Sequence, residues 1–145
     1  MKKLFLVLAS FLVVLSGCDN SYDRSSDAGE IVEITYKEYE EMKKDDGPYM
    51  VLISQTNCSH CIDYKQNVLD VYMPEHGFKI YELNLTNEED PQGVFDALKE
   101  ELGDTFKGTP STIIIENKEV AEFISGEMTE DELEDIVVEY QLDKK

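Results

Sequence analysis

An apolar run, Tyr49-Met50-Val51-Leu52-Ile53-Ser54, leads almost directly into Cys58-Ser59-His60-Cys61. Beyond it Ile62, Lys65, Val68, Leu69 and Tyr72 keep helical spacing until Pro74. An apolar run of strand length without alternation is what a central strand buried on both faces requires. The chain is thus expected to turn from buried strand to helix at two cysteines. On either side, strand-like runs alternate with helical periodicities, which argues for a mixed α/β domain. Ile31 to Ile34 predicts a first strand. Thr35 with Glu38 forms a capping box ahead of a helix carrying Tyr39 and Met42, ending near Asp46-Gly47-Pro48. Phe78 to Leu85 predicts another strand. Pro91 suits the first turn of a helix that buries Val94, Phe95, Leu98 and Leu102, and Gly103 suits its C-terminal cap. Ser111 to Glu116, a turn at Asn117-Lys118, and Glu119 to Ile124 predict a hairpin. Thr129 with Glu132 caps a last helix carrying Leu133, Ile136, Val137 and Tyr140. The expected order is βαβαβαββα.

The cysteine spacing carries chemistry. Cys58 falls at a helix N-terminus, where free amides and the macrodipole favour a thiolate, the species that attacks a disulfide. Cys61, one turn on, shares its helix face and is placed to resolve a mixed disulfide without chain motion. Adjacent cysteines would strain the ring, and distant ones would need a loop closure in every cycle.

The beginning of the chain is an address. Lys2 and Lys3 precede the nearly unbroken apolar run Leu4 to Leu15. Such a run makes about 18 Å of helix, short of a roughly 30 Å hydrocarbon core, so it reads as a signal-peptide segment. Leu15-Ser16-Gly17-Cys18 resembles the lipobox of bacterial lipoproteins. That resemblance implies cleavage after Gly17 and a diacylglycerol-modified Cys18, with enough acyl chains for stable anchoring. The expected divisions are a signal peptide over residues 1–17, a lipidated Cys18 with a flexible polar tether over 18–30, and one domain over 31–145.

The Cys58–Cys61 segment, taken with Lys107-Gly108-Thr109-Pro110-Ser111-Thr112-Ile113 and Phe123-Ile124-Ser125-Gly126-Glu127-Met128-Thr129, resembles the thioredoxin superfamily over nearly all of residues 31–142. The resemblance implies a thioredoxin-like fold, with a central mixed sheet of four to five strands flanked by helices. It implies a nucleophilic Cys58, a resolving Cys61 and a cis Thr109-Pro110 peptide beside them, the Thr109 backbone holding substrate in an extended manner. Ser59 and His60 support the pair. A His before the second cysteine is similar to protein disulfide isomerases and oxidising bacterial oxidoreductases, where it stabilises the reduced thiolate. Asn57 stands where thioredoxins carry Trp. Leu52 stands where they carry the buried acid that deprotonates the second cysteine, with Asp63 and Glu116 as alternative acids. His76 is expected in a surface loop.

The functional expectation is an extracytoplasmic, lipid-anchored thiol–disulfide oxidoreductase on a bacterial cell membrane, with oxidation or isomerisation placed ahead of reduction. Its cofactor is its own Cys58–Cys61 disulfide. Its partners are cysteine-containing exported proteins or peptides, such as those served by bacteriocin-accessory lipoproteins, and a membrane partner that recycles it. It is expected to act as a monomer. Alternatives are a reductase for cytochrome c maturation, a copper-handling protein, and a redox-inert binding module. No resident metal is expected. The formal charge of −19, two more negative once Lys2 and Lys3 are cleaved away, argues against nucleic acid as a partner.

Overall fold

The structure, a computed structural model, describes residues 22–145; the signal segment and Cys18 lie outside them. The elements run β1 (Glu30–Ile34), α1 (Tyr36–Met42), β2 (Tyr49–Ser54), α2 (Ser59–Tyr64), α3 (Asp70–Tyr72), β3 (Lys79–Asn84), α4 (Pro91–Leu102), β4 (Ser111–Glu116), β5 (Glu119–Ser125) and α5 (Glu130–Glu139). They form one five-stranded sheet of order β1-β3-β2-β4-β5. Strands β1, β3 and β2 are parallel, and β4 and β5 complete the sheet antiparallel.

The two-residue period of a strand divides the core into two layers. Met50 and Leu52 of β2, with Ile80 and Ile114, face Tyr64, Leu69, Tyr72, Leu133 and Val137 on one side of the sheet. Val51 and Ile53, with Leu83, Ile113 and Ile115, face Tyr39, Val94, Leu98 and Phe106 on the other. Strand β2 is therefore apolar on both faces because both are covered. Both capping boxes form, Thr35 with Glu38 and Thr129 with Glu132, and Asp90 caps α4 ahead of Pro91. At the β4–β5 hairpin Asn117 and Lys118 both take positive φ, 54° and 69°, as a two-residue turn matched to strand twist demands.

Two expectations change. The helix after Cys58 is not continuous: between α2 and α3 a π-helical turn spans Lys65–Leu69, with the Asp70 amide donating to the Lys65 carbonyl. Buried positions explain it. Cys61 and Tyr64 face the sheet, and the next fully buried residue is Leu69, five positions on; the wider turn keeps both sets inward.

The second change concerns the expected tether, which is folded from Tyr22 onward. The Ser25 amide donates to the Asp143 carbonyl at 2.7 Å, Gly77 N–H to Ser25 O at 3.3 Å, and Lys145 N–H to Asp23 O at 3.0 Å. The Arg24 guanidinium holds Asp143 through Nε at 2.8 Å and Glu134 through Nη1 and Nη2 at 2.6 and 2.8 Å. Tyr22 donates to Asp143 Oδ1 at 2.6 Å. His76, expected as a loop residue, stacks on Tyr72 with centroids 3.9 Å apart and lies 3.6 Å from Asp143. A polar composition did not mean a loose segment here, because Arg24 supplies the cation that the buried Asp143 needs.

Candidate redox site

Cys58 is the N-cap of α2 (φ −91°, ψ 110°). Its Sγ takes the place of the usual side-chain oxygen and accepts the Cys61 N–H at 3.1 Å. The two Sγ atoms are bonded, with Cα atoms 5.2 Å apart. The cysteines differ in access: Cys58 is half-buried, whereas Cys61 is 1% exposed and faces the sheet. An incoming sulfur therefore meets Cys58 first. Ser59 and His60 are exposed on the first turn, and Ile62 beside them is 44% exposed.

Across from Cys58 lies the loop entering β4. The Thr109-Pro110 peptide is cis, Pro110 is buried, and the Thr109 carbonyl oxygen is 3.5 Å from Cys58 Sγ. Thr109 Oγ1 donates to Gln55 Oε1 at 3.2 Å, tying this loop to the one before the cysteines. The Gly126 amide donates to the Pro110 carbonyl at 2.9 Å. Lys107, Gly108, Thr109, Pro110, Ser125 and Gly126 line an open cavity of about 180 Å³ beside the disulfide. From the same β5–α5 connection, Glu127 Oε1 approaches His60 Nδ1 to 2.5 Å.

No family model and no curated protein matches this sequence. Solved structures do. A Malassezia sympodialis thioredoxin, described as a member of a pan-allergen family, superposes with TM-score 0.56 at 12% identity, over 83% of this chain and 98% of its own. The reduced thioredoxin pre-protein of Schistosoma mansoni gives 0.55 at 13%, over 77% and 99%. Thioredoxin f from spinach chloroplast, in its short form, gives 0.52 at 16%, over 79% and 96%. This chain has a thioredoxin-like fold.

On that thioredoxin-like frame the structure brings together Cys58, Cys61, Thr109 and Pro110, and puts Ser59 and His60 on the helix turn that follows. Asn57 is exposed and leaves the disulfide without an aromatic cover. Leu52 is 1% exposed within the apolar layer below α2. Neither alternative acid approaches the cysteines. Asp63 is exposed on α2. Glu116 lies where β4 pairs with the start of β2, through Tyr49 and Ile115, whereas Cys58 follows the end of that strand. Sequence reasoning missed Glu127 and also Glu82 of β3. Glu82 is 7% exposed and accepts from Ser54 Oγ and Lys65 Nζ. Its signal was present: a lone charge in a strand, at even spacing from Ile80, points to the core face and needs a partner there. The Tyr64 phenol, buried on the same layer, is pushed above its ordinary value by desolvation. Among the described residues no three His, Cys, Asp or Glu side chains gather into a metal-binding group, and no helix is long and apolar enough to cross a membrane.

Proposed function

We propose that the chain is an extracytoplasmic thiol–disulfide oxidoreductase, lipid-anchored through Cys18, which exchanges disulfides with exported cysteine-containing proteins. One observation carries this reading: an accessible Cys58 Sγ, capping a helix and facing the Thr109 carbonyl, is bonded to a buried partner one turn away. In the oxidising direction a substrate thiolate attacks Cys58 Sγ and the Cys58–Cys61 bond breaks, leaving its electron pair on Cys61. A second substrate thiolate then attacks the substrate sulfur of the mixed disulfide and displaces Cys58. The substrate loses two electrons and the Cys58–Cys61 pair gains them, so a membrane partner must take them away. The helix terminus that stabilises a Cys58 thiolate makes the disulfide the better oxidant, and His60 adds to it when charged. Thr109 offers backbone to an extended substrate segment.

The anchor sets the orientation. Tyr22 follows Cys18 by four residues, a reach of about 14 Å at full extension, and its hydroxyl donates to Val137 O in the last turn of α5 and to Asp143 just beyond it. Cys58 follows the end of β2, whereas Leu142 lies by the starts of β2 and β3, which supports a redox pair turned away from an anchored N-terminus and toward soluble substrates. Trapping tests the function: a Cys61→Ser chain should accumulate mixed disulfides through Cys58 in cells. Their absence, with Cys58 free and the protein at normal level on the membrane, would overturn the reading.

A further inference from the structure

Cys61 presents a problem that its surroundings must solve. It is 1% exposed, so when it is expelled as a thiolate, or must become one to attack Cys58, a charge arises where water is scarce. Among the described residues two carboxylates are buried, Glu82 and Asp143. Asp143 is bound to Arg24 at the other end of the molecule. Glu82 lies under α2, on the sheet layer that Cys61 faces, with its β2 neighbour Leu52 in register. Its Oε1 accepts from Lys65 Nζ and from Ser54 Oγ. Lys65 is one turn beyond Cys61, its backbone amide donating to the Cys61 carbonyl, and side chains so spaced are neighbours, with Cβ atoms about 5–6 Å apart.

We propose that Glu82 and Lys65 together exchange the Cys61 proton, doing from β3 what Leu52 of β2 cannot. The inference rests on the proposed disulfide exchange. When Cys61 attacks, its S–H proton passes to the Glu82 carboxylate. The Cys61 sulfur bonds to Cys58 Sγ while the bond from Cys58 to the substrate sulfur breaks, and the substrate leaves with the electron pair as a thiolate. Protonated Glu82 releases Lys65, whose ammonium then faces the transient Cys61 thiolate. Water then carries the proton from Glu82 to the departing substrate thiolate, and the Glu82–Lys65 pair re-forms as it stands beside the disulfide; in the reverse step a proton from water reaches the expelled Cys61 thiolate through Glu82. While the proton passes between Cys61 and Glu82 the buried region keeps one negative and one positive charge, and Lys65, partly open to water, carries the remaining charge until Glu82 gives its proton up. The groups on Glu82 are Ser54 from β2 and Lys65 from the overlying helix, and from β1 its register partner is the exposed Glu33, which accepts from Asn87; Cys61 and Tyr64 are the buried residues of that helix.

The test separates the two steps. The reduced full chain is mixed with glutathione disulfide, quenched in acid, and the Cys58–glutathione adduct is followed by mass. In Glu82→Gln the adduct should form at the wild-type rate and decay at least tenfold more slowly at pH 7. The deficit should shrink as pH rises and hydroxide takes over the proton, and Glu82→Asp should restore part of the rate. Decay at the wild-type rate across the pH range would overturn the proposal. Should Glu82→Gln fail to fold, judged by circular dichroism, Lys65→Gln decides: slowed decay with unchanged adduct formation supports the proposal, and unchanged decay overturns it. Failure of the wild type itself to form an adduct would instead remove the oxidoreductase reading, which keeps the two failures distinct.

Discussion

Replacing Arg24 by Gln should unlock the N-terminal segment from the domain, and the cost follows from what the guanidinium holds. Asp143 is fully buried and pairs with Arg24 Nε at 2.8 Å. Removing one partner of a buried pair costs about 3–5 kcal/mol; with the Tyr22 hydroxyl still donating, about 2 kcal/mol is expected. Glu134 is the second partner. The Arg24 hydrogen bond, opposed by burial and reinforced by the Tyr72 hydroxyl, holds its carboxyl down from 4.5 to about 2. That difference converts to roughly 3 kcal/mol, which screening at a side chain 38% exposed reduces to about 1 kcal/mol. A depressed carboxylate stabilises the fold above its unfolded value and loses that contribution as pH falls toward the folded one. The wild type should therefore lose about 1 kcal/mol between pH 5 and pH 2 through Glu134, a loss that Arg24→Gln no longer has to suffer. Urea unfolding followed by circular dichroism measures both effects. At pH 7 the variant should be about 3 kcal/mol less stable, near 2 M in midpoint for a slope of about 1.5 kcal/mol/M. The gap should narrow on acidification. A midpoint change under about 0.3 M, or a gap independent of pH, would refute the argument.

Two further outcomes follow from single contacts. His60→Ala removes the imidazole that Glu127 holds at the first turn of α2 and should make the Cys58–Cys61 couple less oxidising by about 10 mV, the equivalent of roughly 0.5 kcal/mol for an exposed group; equilibration in glutathione buffers reads it, and no shift, or one toward a stronger oxidant, would contradict the assigned role of His60. Lys118→Gly should stabilise the hairpin by about 0.5–1 kcal/mol, because Lys118 holds φ 69° where glycine pays no Cβ penalty, and the exposed Lys118–Asp46 bridge it gives up, at 3.5 Å, contributes little. A lower melting temperature would count against that account.

The elements were legible in the sequence where period and capping agreed. Strand β2 announced itself by apolar residues without alternation, α1 and α5 by Thr-to-Glu boxes, and α4 by Asp90-Pro91 and Gly103. The π turn after Tyr64 was hidden because Val68 and Leu69 are both apolar, so either satisfies a helical stripe; only the sheet below selects Leu69 as the fully buried one. The clasp at Tyr22 and Arg24 was hidden for a related reason. A short charged segment has no apolar period, and its fixed position depends on Asp143, more than a hundred residues away (|i−j| = 119). The candidate site divides the same way. Cys58 and Cys61 are neighbours in sequence and were visible together. Glu82 and Glu127 reach α2 from other elements, and their relevance appears only once the chain is folded.

The proposed transfer of the Cys61 proton to Glu82 would let a site keep its chemistry while its sequence pattern changes. Three strands pass under α2, and residues in register across them share one face: Glu82 of β3, Leu52 of β2 and Thr112 of β4. A proton acceptor for Cys61 must lie on that face, but the strand that supplies it is not dictated by the cysteine spacing. What is dictated is a compensating cation within reach, since a carboxylate buried alone would be driven to its neutral form. Lys65, one turn from Cys61, meets that requirement for a carboxylate on β3, from the outer side of the sheet where its own side chain keeps partial access to water. An acid at position 52 would sit between Met50 and Ser54 on the central strand, covered by Tyr64 and farther from solvent. Moving the acid one strand outward therefore fits an acid–base pair whose cation comes from the helix surface, and leaves Leu52 free to complete the apolar layer.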